Sequence, residues 1–575
     1  MLKYFLIFTL LFCSHYSLAK QTPQAQIDDL LSSWNNQQTP GLAVMVTQGD
    51  TALYKRYFGL ADLAHKSKID KHTSFQIASV SKQFTAFAIA LLVEEKKLSL
   101  NDDIRQYLPE LKDFVTPIKL QHLIHHTSGL RDIDDLNSII GTGFSDYNDT
   151  NDVYKLLVNQ SALNFTPGER FDYSNSGYML LAKIVEKVTG LSFRAFMQQR
   201  VFKPLDMKDT QVFDNAFEVI PNRATAYFSG DGKSFTRDNG ISAVYGSVGI
   251  YTTLEDLDRW ARNFHEHKVG DKALFDMMLS KGVLNNGEST NYAFGQELKT
   301  YKGHQAVFHG GGTGAYRAYL MRFPEQELSI SFLSNNSHSS GVIIDYVHKI
   351  ADIYLEKKPF ESVSESLTKR SATKIVDDKM LQSYQGDYQI QPGLIFSIEK
   401  HEETLQLVIS GNPLPIPLRA VSTNKFILMD SSSGNRIIFN PADRQSINDN
   451  EVSQSISYFQ GDFEYKGQRV DLIEFNQQDI PWQEYEGLYY SNDLNTTYKL
   501  VFDGKNLLAI HAQNLPINLV PFQPEVFTTS ATFFQKVEFS RNKQGKVNEM
   551  LVSGSRSKDI EFVKVNAENP LTMSL

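Results

Sequence analysis

From about Gln24 to Leu355 the apolar positions alternate between two spacings. Gly41-Leu42-Ala43-Val44-Met45-Val46 is a short unbroken apolar run, which predicts a buried strand. Phe84, Phe87, Ala88 and Leu91 recur at helical spacing and predict a helix with an apolar stripe. This part therefore reads as a domain of mixed α and β structure. Between about Lys357 and Lys379 the chain turns polar and Ser-rich (Ser362, Ser364, Glu365, Ser366, Lys369, Arg370), as an exposed linker does. Beyond it come short alternating runs separated by turn residues, such as Phe396 to Ile398, Leu405 to Ile409, Tyr498 to Val501 and Phe533 to Phe539.

The β part repeats itself. Tyr384-Gln-Gly386-Asp-Tyr388 returns as Tyr485-Glu-Gly487-Leu-Tyr489, and Asn412-Pro-Leu-Pro-Ile-Pro-Leu418 is echoed by Asn514-Leu-Pro-Ile-Asn-Leu-Val520. Two copies of one small domain account for this. Closure removes exposed strand edges, so two small antiparallel barrels are expected, with a single larger sandwich as the alternative.

Composition narrows the chemistry. The chain of 575 residues exceeds one ordinary core, and its net charge of −9, without basic runs, argues against a nucleic-acid partner. Cys13 is the only cysteine, and it lies in an apolar run from Tyr4 that ends before Ser17-Leu18-Ala19. That layout is a cleavable secretory signal, so a periplasmic or extracellular location is expected. The run is too short for a stable membrane span, which needs about 20 apolar residues. A mature chain without cysteine has neither disulfides nor a thiol nucleophile.

Three separated stretches carry chemistry. Ser79-Val80-Ser81-Lys82 puts a hydroxyl and an amine one turn apart at the start of the Phe84 helix. A serine needs a base, and a desolvated lysine that stays neutral can be one. The spacing alone is weak, since Ser366…Lys369, Ser422…Lys425 and Ser540…Lys543 share it. Phe165-Thr166-Pro167-Gly168 leads by a turn to Tyr173-Ser174-Asn175 and a second helix, presenting a phenol that nearby cations would favour as phenolate. Tyr490-Ser491-Asn492 repeats the tripeptide without that setting. Val307-Phe308-His309-Gly310-Gly311-Gly312 is an apolar lead-in to glycines that let a ligand backbone approach closely, although a lone His beside glycines is ordinarily a turn residue.

Taken in order, Ser79…Lys82, Tyr173…Asn175 and His309-Gly310-Gly311 resemble the three motifs of the penicillin-recognising serine hydrolases, the superfamily of class C β-lactamases, D,D-carboxypeptidases and D-aminopeptidases. His126-Thr127-Ser128-Gly129-Leu130 and Gly249-Ile250-Tyr251-Thr252-Thr253 resemble two supporting segments. The resemblance implies an α+β β-lactamase-like catalytic domain with an antiparallel sheet flanked by helices. It makes Ser79 the acylated nucleophile, with Lys82 and Tyr173 sharing the proton transfers. Asn175, His309, Gly311 and Gly312 would bind substrate, and the N–H groups of Ser79 and Gly312 would form an oxyanion hole. Histidine where many relatives have lysine weakens carboxylate anchoring and points toward D-stereospecific aminopeptidases, amidases and esterases. Arg317 could still supply a cation for a D,D-carboxypeptidase or weak β-lactamase. A catalytically idle binding protein of the same fold is the non-enzymatic alternative.

The expected organisation is a signal peptide at 1–19, the catalytic domain at 20–356, a linker at 357–378 and lipocalin-like barrel repeats at 379–478 and 479–575. The substrate is a small molecule or short peptide, and no cofactor or metal is implied. His122 and His126 have the spacing of a helical metal pair but lack the accompanying Glu. Asp102-Asp103 and Asp134-Asp135 read as solvated caps and turns.

Overall fold

The computed structural model describes residues 21–565, apart from 144–145, 230–231, 338–339, 356–374, 392–393, 411, 430–434, 441–452, 461–462 and 473–478. The expected signal peptide and most of the expected linker lie outside the described residues. Among the described residues no helix is long and apolar enough to cross a membrane.

The first part is built on a six-stranded antiparallel sheet. Its strands are β1 (Leu42–Gln48), β2 (Thr51–Phe58), β3 (Glu297–Tyr301), β4 (His304–Thr313), β5 (Tyr316–Phe323) and β6 (Leu328–Ser334), in the order β3-β4-β5-β6-β1-β2. The six helices used below are α1 (Pro23–Leu30), α2 (Ser81–Glu94), α3 (Ile133–Ile139), α4 (Asn175–Thr189), α5 (Leu254–Glu266) and α6 (Ser340–Tyr354). Along β1, Leu42, Val44 and Val46 face one apolar cluster with residues of α1 and α6, while Ala43 and Met45 face a second cluster with α2 and α4. A strand covered on both faces must be apolar at every position, which is why this run does not alternate.

Burial on α2 goes beyond the expected stripe of Phe84, Phe87, Ala88 and Leu91. Residues Ser81 to Leu92 are all buried, so α2 is a central helix and has no solvent face over that stretch. Its polar positions are paired inside the protein. Ser81 Oγ accepts from Ile250 N at 3.2 Å, Thr85 Oγ1 donates to the Gly246 carbonyl at 2.7 Å, and Gln83 Oε1 accepts from Trp260 Nε1 at 3.1 Å. Phe84 stacks on Trp260 of α5 with ring centroids 4.1 Å apart.

The C-terminal part forms two closed eight-stranded antiparallel barrels, with strands running from Gly386 to Val470 and from Gly487 to Val565. The single-sandwich alternative is thereby set aside. The sequence repeat has a structural counterpart: Tyr388 donates to the Tyr384 carbonyl at 3.0 Å, and Tyr489 donates to the Tyr485 carbonyl at 2.9 Å. Tyr388, Phe426, Ile437 and Phe439 are fully buried and fill the first barrel, as expected of small barrels. The interior of the first barrel is a cluster of its own, whereas that of the second is continuous with the catalytic core. Arg131, 2% exposed, donates to Asp493 of the second barrel at 2.8 Å, and Tyr498 donates to the Ile139 carbonyl at 2.8 Å.

Candidate active site

Ser79 lies in a short 3-10 turn (Ala78–Val80) immediately before α2. Ala78, fully buried, holds a φ of 47°, a left-handed conformation that non-glycine residues avoid at a cost of about 1–3 kcal/mol. The turn is braced by β4, since a Cβ on Gly311 would stand 2.3 Å from the Ile77 carbonyl oxygen. Glycine is required there by close backbone approach.

One turn on, the Lys82 side chain is completely buried. Its Nζ lies 3.1 Å from Ser79 Oγ, 2.6 Å from Asn175 Oδ1 and 2.9 Å from the Ser247 carbonyl oxygen. Burial lowers its pKa from 10.5 to about 7, against the opposing pull of Asp134 and Asp132. A neutral amine has two N–H bonds and one lone pair. Asn175 Oδ1 and Ser247 O can only accept, so they take the two N–H bonds, and the lone pair is left facing Ser79.

Asn175 is held in turn by two acids, its N donating to Asp132 Oδ2 and its Nδ2 to Asp134 Oδ2, both at 2.6 Å. Asp132 caps α3 and is fully buried, and Asp135 is also buried. The reading of Asp134-Asp135 as solvated is therefore corrected: these acids face a partner outside their own segment.

Tyr173 lies with its ring centroid 4.8 Å from Lys82 Nζ and its phenol near Ser79. Burial pushes that phenol above its ordinary range, with the Ser79 contact and Arg556 opposing it. The phenolate expectation is thus reversed: at neutral pH Tyr173 keeps its proton. The His126 segment has a clear task here. The His126 ring packs tilted against Tyr173 with centroids 4.3 Å apart, its carbonyl accepts from Asp172 N at 2.8 Å, and its Nδ1 accepts from Ser174 N at 3.1 Å. It therefore brackets the tyrosine on both sides. His122 Nδ1 accepts from Lys119 N at 3.1 Å, so the two histidines are separately engaged.

His309 is placed beneath the cleft. It is 4% exposed, its Nδ1 donates to the Gly310 carbonyl at 2.6 Å, and its Nε2 accepts from the Tyr292 hydroxyl at 2.9 Å. Burial, with a smaller effect of Lys82, lowers its pKa to about 3. Both nitrogens are occupied, so His309 braces β4 and leaves substrate contact to its neighbours. Arg317 also turns away: its Nη1 donates to the Gly314 and Tyr316 carbonyls at 2.8 and 2.7 Å, and it lines a separate groove beside α6.

The cleft itself encloses about 230 Å³ and is lined by Ser79, Tyr173, Asn175 and Gly312 among others. Of the residues expected from sequence, these four face it, while Lys82, His309 and Gly311 support them from behind. Asp134, Arg223, Asp238 and Arg556 also line it. Sequence reading missed all four, as well as Ser247 and Tyr292. Ser247 acts through its backbone and had no side-chain signal to find. The arrangement sets a hydroxyl between an amine lone pair and a protonated phenol, which can carry a proton off and return it.

The beta-lactamase family profile matches residues 23–352. Penicillin-binding protein 4* of Bacillus subtilis (strain 168) is 27% identical over 435 residues, covering 71% of this chain and 92% of that protein. A D-aminopeptidase of Gluconobacter oxydans (strain 621H) is 25% identical over 305 residues, covering 53% of this chain and 57% of that protein. Among solved structures, the octameric penicillin-binding protein homologue from Pyrococcus abyssi overlays with a TM-score of 0.52 at 20% identity, over 77% of this chain and 98% of that one, a likeness of fold. The match spans more than half of the chain and contains the Ser79, Tyr173 and His309 segments, so this protein belongs to the beta-lactamase family and is a serine hydrolase of that fold.

Proposed function

We propose that this protein is an exported hydrolase that cleaves amide or ester bonds through an acyl-enzyme on Ser79, acting most readily on small D-amino-acid amides, peptides or esters. The observation that carries the mechanism is the buried Lys82 amine, whose two fixed acceptors turn its lone pair toward Ser79 at 3.1 Å. In acylation the Ser79 proton passes to Lys82 Nζ while Oγ bonds the substrate carbonyl carbon. The developing oxyanion meets N–H groups at Ser79 and Gly312. As the bond to the leaving group breaks, Tyr173 gives its proton to the departing nitrogen or oxygen and regains one from Lys82. Water then attacks the ester carbonyl, losing a proton to the same pair; the bond to Ser79 Oγ breaks, Oγ takes that proton back, and the acid leaves. Asn175 serves twice, holding Lys82 through Oδ1 and facing the cleft.

The substrate class rests on two supports. His309 is neutral and fully engaged, so the position that would anchor a free carboxylate offers none of its donors. A D-aminopeptidase stands among the relatives. Export is supported by the Tyr4–Cys13 run followed by Ser17-Leu18-Ala19. A second reading, D,D-carboxypeptidase or weak β-lactamase, is favoured by Arg223, a cation lining the cleft that a substrate carboxylate could meet. Hydrolysis of paired D- and L-alanine amides and p-nitrophenyl esters, beside D-alanyl-D-alanine peptides and nitrocefin, separates the two. Turnover of the D-amide with loss in Ser79→Ala is the expected result. Preference for D-alanyl-D-alanine peptides selects the second reading, and undiminished turnover by Ser79→Ala refutes both.

A further inference from the structure

The tip of the last hairpin of the second barrel, residues 554–559, is clasped by the catalytic domain on both sides of Arg556. Before it, Ser555 Oγ donates to Asp135 Oδ1 at 3.1 Å, and Arg556 N donates to Asp135 Oδ2 at 2.6 Å. Gly554 fits because a Cβ there would stand 2.6 Å from Asp135 Oδ2 and 2.8 Å from the Phe533 carbonyl oxygen. After it, Asp132 N donates to Ser557 Oγ at 3.0 Å, and Arg131 donates to the Lys558 and Asp559 carbonyls at 3.1 and 2.8 Å. The Arg556 carbonyl itself accepts from Asn164 Nδ2 at 2.8 Å. With its backbone fixed this way, the side chain reaches the cleft of Ser79. Its Nη1 lies 3.4 Å from Asp132 Oδ1 and 3.7 Å from Asp134 Oδ2, and its Cζ lies 5.7 Å from the centre of the Tyr173 ring.

We propose that Arg556 is a positioning residue for the chemistry at Ser79, delivered by the second barrel: its charge offsets Asp132 and Asp134, so that Asn175 holds Lys82 as an amine with its lone pair on Ser79. This rests on the hydrolase reading above. The groups facing Lys82 are Ser79 on its own turn, Asn175 and Tyr178 of α4, Tyr173 before α4, His126, His309 of β4, Asp132 and Asp134 of the α3 segment, and Arg556. Burial keeps His126 and His309 neutral and keeps both phenols protonated. Burial is the larger influence on Lys82, and Asp132, Asp134 and Arg556 are then the charges that adjust it. Without the guanidinium the acids draw a proton onto Lys82, and the resulting ammonium turns a third N–H toward Ser79 where the lone pair should be.

The test is the pH dependence of Ser79 labelling by a fluorophosphonate probe in the full chain, for wild type, Arg556→Gln and Arg556→Lys. The acid limb is expected to move up by about one pH unit in Arg556→Gln and to return in Arg556→Lys. The double variant Asp134→Asn/Arg556→Gln, which removes one charge of each sign, should bring the limb back toward wild type, whereas loosening of the hairpin alone would make the defects add. An unmoved limb in Arg556→Gln, or a Lys variant that behaves as Gln does, overturns the proposal. Failure of the wild type to label refutes the hydrolase reading instead.

Discussion

Replacing Lys82 by methionine tests the central electrostatic claim without any substrate. The side chain is wholly buried, and burial shifts its pKa from 10.5 to about 7. A difference of that size corresponds to roughly 5 kcal/mol at about 1.4 kcal/mol per pH unit. The sign follows from proton binding. The unfolded chain holds the Lys82 proton more tightly than the folded one, so this residue opposes folding. The opposition is complete below pH 7, where both states are protonated. It shrinks as pH rises from 7 toward 10.5, because the folded state has already lost its proton, and it vanishes above. Methionine removes this pH-dependent cost, but it leaves the Asn175 and Ser247 oxygens without a donor, a loss of about 1–3 kcal/mol each that does not vary with pH. The stability of Lys82→Met relative to wild type should therefore fall by roughly 3 kcal/mol between pH 7 and pH 9. Urea denaturation at pH 6, 7, 8 and 9 measures it. A constant difference across that series would show that the amine is not held neutral and would remove Lys82 as the base.

Further outcomes follow from the same geometry. Gly311→Ala must push β4 away from Ile77, so the protein should remain folded while turnover falls at least about tenfold, and unchanged kinetics would refute the bracing of the Ser79 turn. Asp493→Ala leaves the buried Arg131 guanidinium without its carboxylate and should cost roughly 3 kcal/mol, read as an earlier thermal transition of the second barrel. An unmoved transition would mean that the docking does not depend on the pair. With a pKa of about 3, His309 should show imidazole resonances that stay fixed between pH 5 and 8, and a titration near 6.5 would reverse the assignment of His309 as a neutral brace.

Much of this was legible in the sequence where one segment sufficed. The unbroken apolar run of β1 announced a strand covered on both faces, and the Tyr384 and Tyr485 repeats announced twin units because each tyrosine pair bonds within its own barrel. Reading failed where the decisive partner lay far along the chain. The stripe of Phe84, Phe87, Ala88 and Leu91 was visible, but nothing local showed that Ser81, Lys82, Gln83 and Thr85 are buried too, because their partners lie at Ile250, Ser247, Trp260 and Gly246. Asp134 and Asp135 looked like surface acids until a hairpin some 420 residues later closed over them. Arg317 was the visible cation near the glycines, yet strand geometry aims it into a neighbouring groove, and the arginines that line the cleft, Arg223 and Arg556, come from parts of the chain with no motif at all.

The ladder of the final hairpin bears on how such a protein can change. Glu549 to Val552 pair with Val563 to Ile560, and the last strand pairs back to Leu488 to Tyr490, so the stem is held along its length by strands outside residues 554–559. The tip is then a graftable part. Exchanging those six positions would redecorate the mouth of the cleft and, because Arg556 faces Asp132 and Asp134, would reset the charge behind Asn175 at the same time.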